Sequence, residues 1–271
     1  MKYVIASALA FALCIAAGLF VTKRISEKKE LKLIHKIMIT AAVSISLIAV
    51  GLFAYLEVYY HADRRVAEYL KSGKEVRVEE DRRMYFFDGP GSGTAVIFYP
   101  GGKVEETAYA PLMHRLAEQG TDCFLLKLPF RMAVFAPDAP DDIIEKYDYD
   151  SWYLMGHSLG GIIASEYNAK NSGDTDGVIL LASYPNKPVP GSERMLSIYG
   201  TKDGCLSREE YRSSRGFWPD TWSERILRGG NHSGFAYYGP QKGDGKADIS
   251  AYEQQSMTIN EIEKFVARRD F

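Results

Sequence analysis

Residues 152–161 read WYLMGHSLGG, an apolar run that ends in a glycine-rich turn. The turn has the pattern Gly-x-Ser-x-Gly, with Ser158 at its centre and Gly156 and Gly160 on either side. A serine between a buried strand and a helix is held in a strained conformation, with its hydroxyl exposed at the carboxyl end of a sheet. The alternative is a plain glycine-rich bend, and the surrounding sequence has to decide between the two.

The sequence on both sides of this turn predicts alternating strands and helices. The candidate strands are 75–79, 83–88, 94–100, 122–128, 152–156, 177–183, 194–200 and 224–230, and the candidate helices are 106–119, 141–147, 159–170, 207–215 and 248–268. The central strands are continuously apolar, which is typical of parallel strands covered on both faces. We therefore expect an α/β fold with a mostly parallel sheet of about eight strands flanked by helices.

A nucleophilic serine on such a turn needs an acid and then a histidine later in the chain. Asp203 follows an apolar strand in SIYGTKDGC, where a carboxylate can orient an imidazole, although an ordinary Asp-Gly turn has the same sequence. Asp220 and Asp244 are weaker candidates because neither directly follows a strand. His232, in RGGNHSGF, is the one histidine after Asp203, so it is the candidate base, with a structural loop histidine as the alternative.

Acyl transfer also needs N–H donors for the oxyanion of the tetrahedral intermediate. The backbone N–H of Leu159, at the start of the helix after the serine, is one expected donor. The second is expected from the loop FYPGGKVEE, where Gly101 and Gly102 let the backbone approach a substrate. Gly101, Gly102 and Lys103 remain equal candidates for that donor.

From about Glu75 to Phe271 the chain resembles the α/β-hydrolase superfamily, in particular its compact single-domain esterases and dienelactone-hydrolase-like enzymes. The motifs that carry the resemblance are GHSLGG (156–161), GTKDG (200–204) and GGNHSGF (229–235). One departure is the sequence Tyr-Pro-Gly-Gly at residues 99–102, where many relatives have His-Gly.

The resemblance implies a nucleophile elbow and a catalytic triad. Ser158 would be the nucleophile, His232 the general base and then acid, and Asp203 the residue that orients the histidine. Such enzymes form an acyl-enzyme and need neither a metal nor an organic cofactor. The implied activity is hydrolysis of carboxylic esters by a serine esterase.

The expected substrate is a small-molecule ester with an apolar group. Only residues 184–193 separate two strands at the point where relatives often insert a lid, so we expect an open site. Ordinary loop packing is an equally good interpretation of the apolar residues near the expected mouth of the site. These residues are Phe130, Met132, Phe135, Phe217, Trp218, Phe235 and Tyr237.

Residues 4–21 and 37–56 contain no charged side chain. At about 1.5 Å per residue, either segment can cross a hydrocarbon core of about 30 Å. The linker between them is rich in lysine and favours the cytoplasm, which predicts a two-span hairpin in the cell membrane with an extracytoplasmic catalytic domain. Two buried core helices, or a cleaved signal peptide over residues 1–21, are the alternatives.

The predicted domains are a membrane anchor over 1–60, a charged juxtamembrane helix and linker over 61–74, and a hydrolase domain over 75–271. The formal net charge of -2 gives no indication of a nucleic-acid partner. The three cysteines fit neither a zinc site nor a disulfide framework. Two other functions stay open: an acyltransferase with the same acyl-enzyme, and a catalytically silent membrane scaffold.

Overall fold

The computed structural model describes residues 2–91 and 93–267, with the side chains of residues 10–91 and 93–267. The chain consists of two compact units, Met1–Val58 and Tyr59–Phe271.

The first unit is a pair of helices, α1 (Lys2–Lys28) and α2 (Leu33–Leu56), that pack against each other. Small and hydroxyl side chains form the contact. The Oγ1 atoms of Thr22 and Thr40 are 2.8 Å apart, and Ser44 Oγ donates to the carbonyl of Cys14. A Cβ atom on Gly18 would lie 2.6 Å from Ser44 Oγ, so this close approach requires glycine.

Among the described residues, α2 is the one helix that is long and apolar enough to cross a membrane. This criterion rests on length and composition, and a signal sequence or a core helix meets it as well. The predicted span 37–56 lies within α2. The predicted span 4–21 lies within α1, and the side chains of residues 4–9 fall outside the described part of the chain.

The second unit begins at Tyr59, and residues 61–74, predicted to be a charged juxtamembrane helix and linker, form no α-helix. The structure has a 3₁₀ turn over Arg64–Glu68 instead, with Val66 buried and Tyr69 packed against the core of this unit. The residues before the turn are extended because the backbone of Tyr60 pairs with the loop after the third strand. Residues 59–74 are therefore part of the second unit, although the sequence predicts an anchor up to residue 60 and a linker over 61–74.

An eight-stranded sheet forms the centre of the second unit, with the strand order β1-β2-β4-β3-β5-β6-β7-β8. The first two strands pair in antiparallel fashion at one edge, and β3 to β8 run parallel. The strands are β1 (Arg77–Glu80), β2 (Met84–Asp88), β3 (Thr94–Tyr99), β4 (Asp122–Leu126), β5 (Ser151–His157), β6 (Gly177–Leu181), β7 (Arg194–Gly200) and β8 (Thr221–Leu227). The prediction of a mostly parallel sheet of about eight strands is confirmed.

Within the described residues of the second unit, five α-helices accompany this sheet, and a 3₁₀ turn adjoins two of them. They are α3 (Ala110–Glu118), α4 (Asp141–Lys146), α5 (Leu159–Lys170), α6 (Arg208–Ser213) and α7 (Ala251–Ala267). Strand β8 begins and ends three residues earlier than the predicted strand 224–230. It ends at Leu227 because Gly229, with a φ of +80°, lies in a turn. Its first residues are exposed at the edge of the sheet, so the sequence lacks the apolar run that marks the other strands.

Apolar layers cover both faces of the sheet. In β3, Val96 packs on one face with α3 and α7, and its neighbour Ile97 packs on the other face with α4 and α5. Alternate side chains of a strand point to opposite faces, so burial of both faces requires a continuous apolar run. This packing explains why the central strands have no polar alternation.

Candidate active site

Ser158 lies between β5 and α5 with a φ of 53° and a ψ of -124°. A non-glycine residue in this region is strained, and such strain is stored at functional sites. The flanking glycines allow the sharp turn. A Cβ atom on Gly156 would lie 2.4 Å from the carbonyl carbon of Gly160, and one on Gly160 would lie 2.2 Å from the carbonyl oxygen of Tyr99.

Other strained residues cluster at the same edge of the sheet. Among the described residues, the non-glycine positions with positive φ all lie just after the carboxyl ends of the neighbouring strands β3, β4, β5 and β6. They are Lys103, Phe130, Arg131, Ser158 and Ala182. Open α/β sheets bind ligands outside the carboxyl ends of their strands, so this edge is the candidate active site.

Asp203 follows β7 and His232 follows β8, so both residues reach this edge. Their side chains are buried, and His232 Nδ1 lies 3.0 Å from Asp203 Oδ2. The other carboxylate oxygen, Oδ1, accepts hydrogen bonds from the N–H groups of Cys205 and Leu206 at 2.9 and 2.8 Å. Burial acts to raise the pKa of Asp203, but the hydrogen bonds from His232 and the backbone hold it below its usual value. An ionised Asp203 therefore places the proton of neutral His232 on Nδ1.

The second ring nitrogen of His232, Nε2, is buried and has no hydrogen-bond partner among the described residues. A buried polar atom without a partner needs an explanation, and a role in binding or catalysis is one. The Ser158 turn and the His232 loop meet at the rings of His157 and His232, whose centroids are 4.6 Å apart. The structure thus brings the Ser158 turn and the Asp203–His232 pair to one place.

Two of the three candidate oxyanion donors in the loop after β3 are already engaged. The N–H of Gly101 donates to the hydroxyl of Tyr109 at 3.0 Å, and the N–H of Lys103 donates to the carbonyl of Arg131 at 2.8 Å. Gly102 N–H makes no hydrogen bond within the described residues. A Cβ atom on Gly102 would lie 3.0 Å from Leu159 Cδ2, so Gly102 adjoins the first residue of α5. Leu159 N–H has no helical acceptor because it lies in the first turn.

A buried pair, Tyr109 and His157, lies beneath this loop, and no motif in the sequence indicates it. Tyr109 Oη is 2.8 Å from His157 Nδ1, and His157 Nε2 is 3.1 Å from the carbonyl oxygen of His232. Burial and the neighbouring His232 hold the pKa of His157 well below its usual value. Burial also raises the pKa of Tyr109, so both side chains stay neutral.

Asp244, a weaker candidate for the acid in the sequence, supports the two loops from outside. Its carboxylate accepts hydrogen bonds from four backbone N–H groups, at 2.9 to 3.1 Å. The donors are Gly204, His232, Ser233 and Gly245. Asp203, and not Asp244, contacts the imidazole of His232. The third candidate, Asp220, precedes β8 and therefore lies at the opposite edge of the sheet.

An apolar patch consisting of Phe130, Val134 and Phe135 lies in the loop after β4. The rings of Phe130 and Phe135 are 40% and 52% exposed and pack edge to face at 5.7 Å. The same loop accepts the hydrogen bond from Lys103 N–H, so it adjoins the loop after β3. Of the other residues that the sequence placed at the mouth, Phe235 is fully buried, and Trp218 stacks with Arg215.

Within residues 2–91 and 93–267, no group of three or more His, Cys, Asp or Glu side chains is arranged to hold a metal ion.

Several solved structures share this fold at low sequence identity, which supports the fold alone. Alpha/beta hydrolase domain-containing protein 10 from mouse is 10% identical with a TM-score of 0.53, and 70% of this chain and 98% of that chain are covered. Est1E from Butyrivibrio proteoclasticus is 13% identical with a TM-score of 0.50, with coverage of 72% and 100%. A monoacylglycerol lipase from Paleococcus ferrophilus is 15% identical with a TM-score of 0.52, with coverage of 67% and 98%.

No curated protein matches the chain by sequence. The model of the alpha/beta hydrolase family matches residues 95–256, which is more than half of the chain and extends from β3 into α7. This range includes the Ser158 turn, the Asp203 loop and the His232 loop. The chain belongs to the alpha/beta hydrolase family.

Proposed function

We propose that the protein is a serine hydrolase that cleaves carboxylic esters, with Ser158 as the nucleophile, His232 as the general base and Asp203 as the residue that orients it. The observation that carries the proposal is the buried hydrogen bond of 3.0 Å between His232 and Asp203 beside the strained Ser158 turn. This arrangement supports a histidine that is held in one tautomer, with a free Nε2 to accept the serine proton.

The proposed reaction has two halves. Ser158 Oγ attacks the ester carbonyl carbon as its proton moves to His232 Nε2, and the resulting tetrahedral oxyanion collapses when His232 returns the proton to the leaving alcohol. The acyl group is then bonded to Ser158. Water, deprotonated by His232, attacks the acyl-enzyme and releases the carboxylic acid, and the proton returns to Ser158.

The proposed oxyanion donors are the backbone N–H groups of Gly102 and Leu159. Support comes from the engagement of the Gly101 and Lys103 N–H groups in other hydrogen bonds and from the close approach of Gly102 to Leu159. Removal of one such donor typically costs about 10²–10³ in rate.

The proposed substrate is a small-molecule ester with an apolar arm. The patch of Phe130, Val134 and Phe135 supports this because exposed apolar side chains next to a reactive centre gain free energy when a ligand covers them. A monoacylglycerol lipase is among the similar structures, and its name agrees with an ester substrate of this kind.

We also propose that α1 and α2 form a two-span hairpin in the cell membrane, with the catalytic unit outside the cytoplasm. The apolar length of α2 and the close contact at Gly18, Thr22 and Thr40 support a membrane helix pair. Protease added to intact cells is expected to digest the region after Tyr60. Protection of that region until the cells are lysed would reverse the orientation.

Labelling by a fluorophosphonate probe tests the hydrolase activity. The full-length protein should react, and Ser158→Ala should not, while p-nitrophenyl butyrate should be hydrolysed only by the parent protein. Absence of both labelling and turnover in folded protein would support the silent scaffold instead. Transfer of the acyl group to an added alcohol in preference to water would identify an acyltransferase.

A further inference from the structure

Three loops of the candidate site are joined by one buried chain of hydrogen bonds. Gly101 N–H in the loop after β3 contacts the Tyr109 hydroxyl, which contacts His157 Nδ1 at the end of β5, and His157 Nε2 contacts the carbonyl of His232. Tyr109 and His157 are 0% and 1% exposed. Water therefore does not replace any of these contacts in the folded protein.

The direction of each hydrogen bond follows from the two backbone groups at the ends of this series, the N–H of Gly101 and the carbonyl of His232. The carbonyl of His232 can only accept, so His157 Nε2 carries the ring proton and Nδ1 is the acceptor. The Tyr109 hydroxyl must then donate to Nδ1, which leaves its oxygen lone pairs to accept from Gly101 N–H. Every donor has one acceptor in this arrangement, and it requires a neutral His157.

This series of hydrogen bonds fixes two backbone positions that the proposed reaction uses. Gly101 N–H is turned inward to Tyr109, so the following N–H, that of Gly102, is the one left unpaired. At the other end, the carbonyl of His232 is fixed, which limits movement of the residue whose ring is hydrogen-bonded to Asp203. A ring contact of 4.6 Å between His157 and His232 adds to this restraint.

We propose that Tyr109 and His157 are positioning residues, which hold the loop after β3 and the His232 loop in register with each other through this shared chain of hydrogen bonds. The inference rests on the proposed function. Neither side chain touches the reacting atoms in this scheme. Their effect is on the placement of the Gly102 N–H and the His232 ring when the oxyanion forms.

The test is Tyr109→Phe in the full-length protein, assayed with p-nitrophenyl butyrate. The substitution removes one hydroxyl and leaves Gly101 N–H and His157 Nδ1 unpaired. An oxyanion donor acts in the transition state and not in the ground state, so kcat should fall about 10- to 100-fold while KM changes less than about twofold.

Tyr211→Phe is the matched control. Tyr211 is also buried, and its hydroxyl is hydrogen-bonded to Ser197 and Glu224 under the β7–β8 side of the sheet. The Tyr211→Phe variant should have a lower melting temperature, as Tyr109→Phe should, but an unchanged kcat. If Tyr109→Phe lowers only the melting temperature, with kcat within twofold of the parent, the role is merely structural and the inference is wrong.

A second pair of variants keeps the test decisive if Tyr109→Phe does not fold. His157→Gln retains an amide that can donate to the His232 carbonyl, whereas His157→Leu retains no hydrogen bond at either end. The glutamine variant should have a kcat at least about fivefold above that of the leucine variant. Equal kcat values would contradict the inference. A parent protein that neither labels nor turns over ester would instead refute the proposed function.

Discussion

The two ends of strand β7 each carry a buried carboxyl group, and the two groups behave in opposite ways. Glu193 directly precedes the strand, and Asp203 follows it. Asp203 receives hydrogen bonds on both oxygens, and its pKa is lowered. Glu193 accepts hydrogen bonds from Asn168, from the hydroxyl of Ser172 and from the N–H of Gly173. Burial raises the pKa of Glu193 to about 7.

Both carboxyl groups are buried and accept hydrogen bonds from neutral groups, but Asp203 also faces the imidazole of His232. The kind of donor around a carboxyl group, and not burial alone, therefore decides whether it is charged. At the carboxyl end of the sheet, backbone N–H groups and His232 stabilise a carboxylate. At the amino end, Asn168 and Thr175 form a small polar cluster that links α5 to the start of β6. We therefore expect substitutions at the two ends to affect different properties, catalysis at one end and stability at the other.

The largest expected effect is loss of the nucleophile. Ser158→Ala should lower kcat/KM for p-nitrophenyl butyrate by about 10⁵-fold, because covalent catalysis is removed. His232→Ala should have a similar effect, and the double variant should be little worse because triad members act as a unit. Steady-state rates of the three variants measure this. If the losses of activation free energy in the two single variants add in the double variant, the proposed pairing is wrong.

Exchange of each carboxyl group for its amide tests the comparison directly. Asp203→Asn should lower kcat by about 10³–10⁴-fold, since an amide allows the wrong tautomer of His232. Glu193→Gln has the same change of chemistry at the other end of β7 and should leave kcat within about twofold. If Asp203→Asn and Glu193→Gln lower kcat by similar factors, the two ends of β7 do not differ in their importance for catalysis.

The third expectation concerns pH and stability. The folded-state pKa of Glu193 lies above the ordinary value for a glutamate, so the folded protein binds the extra proton and its stability falls as pH rises from about 4.5 through about 7. The total loss is on the order of 3 kcal/mol. Glu193→Gln should lack this component, so urea unfolding at pH 5 and pH 8 should differ less than in the parent. An unchanged pH dependence would mean that Glu193 is ionised in the fold.

The smallest expected effect is on substrate choice at the apolar patch. Phe130→Ala should lower kcat/KM for p-nitrophenyl octanoate by about fivefold relative to the acetate ester, because the long chain loses apolar contact. Phe217→Ala is the control, because Phe217 is similarly exposed but, contrary to the sequence-based expectation, lies shortly before β8 and therefore at the opposite edge of the sheet. A parallel change of both esters in Phe130→Ala would argue against contact between the patch and the chain.

Local sequence predicted the parts of the fold that depend on short-range patterns. Strand β7 and helix α5 have the predicted bounds, because an apolar run defines the strand and the glycine-rich Ser158 turn defines the start of the helix. The order of residues along the chain singled out Asp203 and His232, and the structure brings their side chains together. Their catalytic roles remain predictions.

Contacts between distant residues could not be predicted in this way. Tyr109 and His157 are 48 positions apart, and nothing in either local sequence indicates that a hydroxyl and an imidazole will meet. The choice among the oxyanion donors depended on that same contact, because it engages Gly101 N–H. The segment after α2 was predicted to be a helix from its charges, but its pairing with the loop after β3 determines its extended conformation.

The pairing of Tyr60 with that loop bears on where a shortened version of the protein can begin. Tyr60 N–H donates to the carbonyl of Lys103 at 2.8 Å, and Glu105 N–H donates to the carbonyl of Tyr60 at 2.9 Å. A fragment that starts at Glu75, where the family resemblance starts, would lack Tyr60. The carbonyl of Lys103 and the N–H of Glu105 would then lose these hydrogen bonds. A fragment that starts at Tyr59 omits both apolar helices and retains the backbone that supports the loop beside Ser158.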